Sequence, residues 1–304
     1  LYSDPTEDTN YTIPTATRDG YTFLGYYDAK SGGTQVINES ETVVNNLMYT
    51  ANRTLYAHWQ AHSVNYKVEH YTQNTDLSTY SLLETQTLTG TTDTTATATP
   101  NAPDGFSENT THPNRVASGT IKGDGTLVLR LYYDRNTYNV TFNKNHADAT
   151  GTMSVQTFTF GVEEKLNTNE FARTGYTFTG WSTTSGGSKE YDDQGIYTID
   201  AGDAIIYAVW EENEYTLTFD KNASDASVDP SSQNYKYTDT LTNMPTPTRA
   251  GYTFKGWFKD AAGTGSVLTD SMTYNAQFGA TNATAYAKWE ANTNTNYVVR
   301  HYKM

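Results

Sequence analysis

Hydrophobic and polar residues alternate along much of this chain. Tyr138, Val140 and Phe142 share one face of an extended segment, with Asn139, Thr141 and Asn143 on the other. Tyr215, Leu217 and Phe219 repeat the pattern, and Leu127, Leu129, Leu131 and Tyr133 give a third instance. A period of two predicts strands with one buried face. Glycine turns punctuate them, as at Ser185-Gly186-Gly187 and Gly123-Asp124-Gly125. Helical periodicity is weak, so at most one short helix per module is predicted, near Glu163–Phe171. No apolar run approaches the roughly 20 residues of a membrane-spanning helix, and no membrane insertion is predicted.

Self-comparison then sets the organisation. Arg18-Asp19-Gly20-Tyr21-Thr22-Phe23-Leu24-Gly25-Tyr26 recurs as Arg173-Thr174-Gly175-Tyr176-Thr177-Phe178-Thr179-Gly180-Trp181. It recurs again as Arg249-Ala250-Gly251-Tyr252-Thr253-Phe254-Lys255-Gly256-Trp257. Each copy closes on one motif: Tyr56-Ala57-His58-Trp59, Tyr207-Ala208-Val209-Trp210 and Tyr286-Ala287-Lys288-Trp289. Two copies share an opening, Tyr138 to Asn145 and Tyr215 to Asn222, 77 residues apart (215 − 138). The first copy lacks that opening: Leu1 to Asn10 is polar and carries Pro5, a poor central strand. The first module is therefore expected to be the least stable. A different segment, about 62–136, opens Tyr66-Lys67-Val68-Glu69-His70-Tyr71, and that opening returns as Tyr297-Val298-Val299-Arg300-His301-Tyr302. The reading is five units: 1–61, 62–136, 137–212, 213–291 and the start of another at 292–304.

Composition sharpens this picture. Hydrophobic residues make up 36% of the 304 residues, a level that leans toward disorder, but 25 Tyr and 5 Trp argue for small aromatic cores. The recurring aromatics Trp59, Trp181, Trp210, Trp257, Trp289, Tyr176, Tyr252, Phe178 and Phe254 are read as that core, because burial of large rings is what a small module most needs. The non-repeated Tyr80, Phe106 and Phe258 are better placed for exposed contacts. The net charge of −14 and the lack of a Lys/Arg cluster make nucleic acid a poor partner. Without cysteine, neither disulfides nor thiolate metal sites can form. Leu1 follows neither an initiator Met nor a signal peptide, so it is expected to begin inside a longer reading frame.

Candidate chemistry is sparse. His58, His62 and His70 lack the spacing of a metal site. Asp220 to Asp225 lacks the glycine and the late Glu of a calcium loop. The neighbouring carboxylates Glu163-Glu164 and Asp192-Asp193 would point to opposite faces of a strand, the wrong arrangement for an acid/base pair. Lys144 and Lys221 each neighbour an asparagine, yet sequence neighbours on a strand cannot face each other to crosslink. The sequons, including Asn10, Asn52 and Asn109, arise readily in so Asn- and Thr-rich a chain. No nucleophile elbow, phosphate loop or dinucleotide fingerprint is present. The expectation is a non-enzyme with no catalytic residues, no cofactor and no metal.

The Tyr-x-Val/Leu-Thr-Phe-x-Lys-Asn opening, the Gly-Tyr-Thr-Phe-x-Gly-Trp middle and the Tyr-Ala-x-Trp end resemble the internalin-type B-repeat, also called the Listeria–Bacteroides repeat. The 62–136 segment resembles the mucin-binding-protein-like (MucBP) group through Tyr66 to Tyr71, Gly105-Phe106 and Gly119 to Tyr133. It departs from that group at Gln73-Asn74-Thr75-Asp76-Leu77, where a glycine turn is usual, so mucin binding does not carry over. The resemblance implies a β-rich α+β fold: tandem small β-grasp-like (ubiquitin-like) modules arranged as an elongated rod. It implies a non-catalytic stalk or adhesin segment of a Gram-positive-type surface protein, secreted and attached to the cell wall through regions outside this chain. The expected state is monomeric, with host or neighbouring-cell glycoproteins as partners. The alternatives are a carbohydrate- or mucin-binding module and an accessory region of a large secreted enzyme.

Overall fold

A computed structural model describes residues 15–44, 53–294 and 298–303. The expectations placed on Leu1 to Asn10, on the sequons at Asn10 and Asn52, and on Tyr297 lie outside the described residues. The chain divides into two compact units. The first runs up to Thr137 and adds Thr159–Val162 and Ile199–Gly202. The second takes Tyr138–Phe158, Glu163–Thr198 and the residues from Asp203 on.

In the first unit, β1 (Tyr21–Tyr27), β2 (Gln35–Ile37) and β3 (Tyr56–Ala61) form an antiparallel sheet in the order β2-β1-β3. Next come β4 (Ser63–Gln73), β5 (Tyr80–Thr91), β6 (Thr95–Thr97), β7 (Phe106–Glu108), β8 (Ser118–Thr120) and β9 (Val128–Arg135). They give a four-stranded sheet, β5-β4-β9-β7, and a β6-β8 ribbon. The alternation read from sequence sets the faces: Tyr66, Val68, Leu129, Leu131 and Tyr133 turn inward with Ala96, Ala98 and Ile121.

Apart from Thr137 and Thr159, the second unit contains β10 (Thr137–Asn143), β11 (Gln156–Thr159), β12 (Glu163–Lys165), β13 (Tyr176–Ser182), β14 (Ile196–Thr198) and β15 (Ala204–Glu212). Their sheet runs β11-β10-β15-β13, with a β12-β14 ribbon. The third repeat follows with β16 (Glu214–Asp220), β17 (Ser232–Lys236), β18 (Tyr252–Phe258), α1 (Tyr274–Phe278) and β19 (Ala283–Ala291), in the order β17-β16-β19-β18. In all three four-stranded sheets the first and last strands of the module are central neighbours and run parallel: β4 with β9, β10 with β15, and β16 with β19.

This architecture corrects the expected fold class. The described residues hold one helix, the five-residue α1, and the modules are β-rich rather than α+β ubiquitin-like grasps. The helix predicted near Glu163–Phe171 is instead β12 followed by chain without regular secondary structure. Leu166 and Phe171 are both buried. Five residues apart, they would lie about 140° apart around a helix and could not share one face. Asn167, Thr168 and Asn169 between them are also weak helix formers.

The signature glycine of the Thr-Phe-x-Gly motif has a backbone role. The ladder slips by one residue at Gly25, Gly180 and Gly256, each with positive φ (115°, 149° and 121°). A Cβ at Gly180 would lie 2.3 Å from the Tyr191 carbonyl oxygen, so only glycine fits this bulge. The next residue, Trp181 or Trp257, is thereby turned fully into the core against Phe142 and Phe178, or Phe219 and Phe254. In the first repeat the same place holds Tyr26, which is half-buried.

The third repeat buries two tyrosines, Tyr235 and Tyr274, whose hydroxyls donate to the carbonyls of Thr242 (3.1 Å) and Thr281 (2.7 Å). Burial pushes both phenols up to about 12, with the Asp270 and Asp239 carboxylates adding to the shift at Tyr235 and Tyr215 adding to it at Tyr274. The folded state thus holds these protons more tightly than the unfolded chain. Their stabilisation is complete below pH 10 and is lost as pH rises toward about 12. Ultraviolet titration should show two tyrosines ionising only with loss of the third repeat's tertiary signal. Ionisation of every tyrosine near pH 10 with structure intact would contradict this.

Candidate functional site

The recurring motifs read from sequence meet in space. In the second and third repeats the opening Lys-Asn turn grips the closing Tyr-Ala-x-Trp strand. Trp210 and Trp289 donate their indole N–H to the carbonyls of Lys144 (3.0 Å) and Lys221 (2.8 Å). Asn145 and Asn222, at positive φ, donate their side-chain amides to the carbonyls of Ala208 (3.1 Å) and Ala287 (3.0 Å). Trp59, Trp210 and Trp289 are half-buried. Phe178 lies against Trp181 and Trp210, and Phe254 against Trp257 and Trp289. Arg173 and Arg249 cover the rings of Tyr176 and Tyr252 at 3.6 Å and pair with Asp148 and Asp225 at 2.9 Å. These arginine bonds hold both carboxyls below the usual range.

Of the three non-repeated aromatics, Phe258 is buried rather than exposed: it turns inward at the end of β18, with the Lys288 ammonium 5.1 Å from its ring. Phe106 is half-buried against Phe160 and the Arg135 guanidinium. Tyr80 is half-buried and belongs to the most chemically varied surface described. On β4 and β9, the residues between the core positions are Glu69, Tyr71, Arg130, Tyr132 and Asp134, which share the outer face of the sheet. Tyr132 is stacked between Tyr71 (5.0 Å) and His112 (3.7 Å), and Tyr80 meets Tyr132 and His112 edge-on. Arg130 Nε and the Tyr71 hydroxyl both donate to Glu69 Oε2, at 3.0 and 2.9 Å. The Tyr80 hydroxyl and Asn109 Nδ2 donate to Asp134. Burial and then the neighbouring carboxylate raise the phenols of Tyr71 and Tyr80. Strand parity could have placed Glu69, Tyr71, Arg130 and Tyr132 on one face, but His112 arrives from a loop that no periodicity reveals.

A second constellation recurs between modules and escapes sequence reading. One residue separates the last strand of one module from the first strand of the next: His62, Asn136 and Asn213. Its N–H donates to the carbonyl of a positive-φ glycine in the preceding module, Gly20, Gly105 or Gly175, at 2.8–3.0 Å. Its carbonyl accepts the N–H of the residue just after the next module's second strand: Thr92, Phe160 or Tyr237, at 2.9–3.1 Å. The glycine must lack a side chain here. A Cβ would meet Gly123 and Thr92 at Gly20, the Phe160 ring at Gly105 and the Tyr237 ring at Gly175, all within 2.5 Å. Glu212 adds two bonds across the third joint, from the Thr238 N–H (2.7 Å) and hydroxyl (2.5 Å). Asn292 repeats the first half of the pattern, with its N–H 2.9 Å from the Gly251 carbonyl.

The remaining candidates do not converge. His58 Nε2 lies 2.9 Å from the Ala29 carbonyl, His62 is an exposed linker, and His70 is buried with Nδ1 2.7 Å from the Tyr133 hydroxyl. Among the described residues no three His, Asp or Glu side chains are grouped to hold a metal. The Asp220 to Asp225 segment is a turn in which Asp225 serves Arg249. Asp192 pairs with Lys189, and Asp193 accepts the Asn169 N–H. The amines of Lys144 and Lys221 donate to the carbonyls of Ala149 and Ser224.

The Listeria-Bacteroides repeat domain matches residues 4–58, 138–209 and 215–288. The chain belongs to the Listeria–Bacteroides repeat family. The matched stretches leave out 59–137, so a MucBP-like assignment of the second segment does not come from them. Internalin H of Listeria monocytogenes is 29% identical over 209 residues, covering 60% of this chain and 36% of the relative. A protein of Evansella cellulosilytica, named for a Gly-rich composition and a membrane location, is 27% identical over 191 residues, covering 62% of this chain and 21% of its own length. The chain thus spans between about a fifth and about a third of these relatives. The solved structure of the Bacillus anthracis TIE protein aligns with 79% of this chain and 52% of its own, at 10% identity and a TM-score of 0.29. The chain is a repeat region of a kind found in surface and membrane-associated proteins. Among the described residues no helix is long and apolar enough to cross a membrane.

The joint of this family region is testable. Gly175→Ala would place a methyl 2.2 Å from the Tyr237 ring at a φ of 79°. The backbone conformation alone costs a non-glycine residue about 1–2 kcal/mol. The amides of Asn213, Tyr237 and Thr238 should then exchange faster with solvent, and adding Tyr237→Ala should reverse part of the destabilisation. Unchanged exchange in the single variant would contradict the joint.

Proposed function

We propose that this chain is a non-catalytic spacer within an exported cell-surface protein, holding other parts of that protein away from the cell and offering contact surfaces along its length. The observation that carries this reading is the succession of family repeats joined through single bonded residues, with their signature side chains engaged in packing and capping. Side chains used in that way are not free to act on a substrate. The acidic net charge of −14 suits an extracellular, soluble surface and disfavours nucleic acid. On this reading the protein is secreted, attached to the wall through regions outside this chain, and monomeric.

A second reading is favoured by one surface. The second segment, taken as a MucBP-like module, would contact a host or neighbouring-cell glycoprotein through Tyr71, Tyr80 and His112, whose rings and adjoining carboxylates offer stacking and hydrogen bonding to sugars.

Deletion in the parent protein separates the two. Removing residues 137–291 should make an epitope tag at the start of this chain inaccessible to antibody on intact cells, and an unrelated β-module spacer of equal length should restore access. Failure of the substitute would defeat the spacer reading. A glycan array probed with the full chain tests the other: binding abolished by His112→Ala would support it, and absence of binding would remove it.

A further inference from the structure

A parallel pairing of a module's first and last strands has a mechanical consequence. The N-terminal end of the first strand and the C-terminal end of the last strand lie at opposite ends of the shared ladder. Tension applied through the chain therefore slides the two strands along each other and loads every bond of the ladder together. Tension across a ladder, at one end, would instead break its bonds in succession.

Three modules have this geometry. The β4/β9 ladder pairs Lys67 to Thr72 with Val128 to Tyr133, six positions. The β10/β15 ladder pairs Val140 to Asn143 with Ala204 to Tyr207, and the β16/β19 ladder pairs Leu217 to Asp220 with Ala283 to Tyr286, four positions each. Each ladder is central, flanked on both sides by another strand. In the second and third repeats it is also pinned at one end: Trp210 and Asn145, and Trp289 and Asn222, tie the residues just past the first strand to the last strand. β3, β9 and β15 are each followed by one residue whose N–H and carbonyl are both hydrogen-bonded, so tension along the chain enters and leaves a module through its first and last strands. The described part of the first repeat has the sheet β2-β1-β3 and no parallel pair.

We infer that the chain bears tension: pulled from its two ends, the second segment and the second and third repeats each resist through a central parallel ladder loaded in shear. This adds a mechanical role to the spacer reading, and its test does not depend on where the parent protein resides or on any ligand.

Single-molecule pulling on the full chain tests it, because the absence of cysteine allows handles to be placed at will. Resistance to pulling reflects the barrier to unfolding rather than equilibrium stability. Pulled end to end, the chain should give three strong events, each releasing roughly 250 Å for a module of about 75 residues. The six-position ladder should be the strongest, and any event from the first repeat much weaker. In Thr141→Cys/Ile205→Cys the handles sit side by side across the β10/β15 ladder and peel it open. That geometry should lower the unfolding force of the same repeat several-fold. Thr218→Cys/Thr284→Cys does the same in the third repeat and guards against a folding defect in the first variant. Variants with unchanged denaturant midpoints and forces equal in both directions would overturn the inference, as would end-to-end unfolding of all modules at the low peeling force.

Discussion

Everything in these modules depends on the parallel pairing of the first strand with the last. That pairing closes each module's sequence on itself, puts the first and last strands in the middle of the sheet, and leaves the intervening strands to flank them. Val140, Ile206 and Ala208 are buried beside it in the second repeat, and Leu217, Ala285 and Ala287 in the third. A parallel pair cannot be made by a tight turn, so the residues between the strands must supply a crossover. Here that crossover carries the second and third strands, a short ribbon or a single helical turn, and the remaining core aromatics.

The cores that result are small, which explains the economy of the signatures. In a module of this size the loss of one buried aromatic, worth about 3–5 kcal/mol, is comparable to the entire stability. Each signature residue accordingly serves more than one end. The bulge glycine turns the following tryptophan inward. The closing tryptophan packs on Phe178 or Phe254 while its indole N–H caps the opening turn. The arginine before the middle motif covers a tyrosine and holds an aspartate from the first loop. The first repeat keeps Arg18 over Tyr21 at 3.7 Å, but its partner is Asp93 of the second segment.

Strand content and the tandem repeats were legible in the sequence because alternation and self-similarity are local or periodic signals. Val140 and Phe142 point inward as their parity requires. The expected grasp helix failed because Leu166 and Phe171, about 140° apart on a helix, are both buried by an irregular stretch of chain after β12 that follows neither helical nor strand periodicity. The joints were invisible for a different reason. Gly175, Asn213 and Tyr237 are dispersed over more than 60 residues and bond mainly through the backbone, which leaves no residue pattern to read. The outer face of the second segment was half legible: parity places Tyr71 beside Tyr132, but nothing local announces that His112 closes over them.

Native-state hydrogen exchange on the full chain tests the central claim most directly. If the first-to-last strand pairing organises each module, the slowest amides will lie in β4 and β9, in β10 and β15, and in β16 and β19, and they will exchange as cooperative sets. Slowest exchange in the flanking strands β5, β11 and β17, or β7, β13 and β18, with the central ladders opening first, would contradict the account.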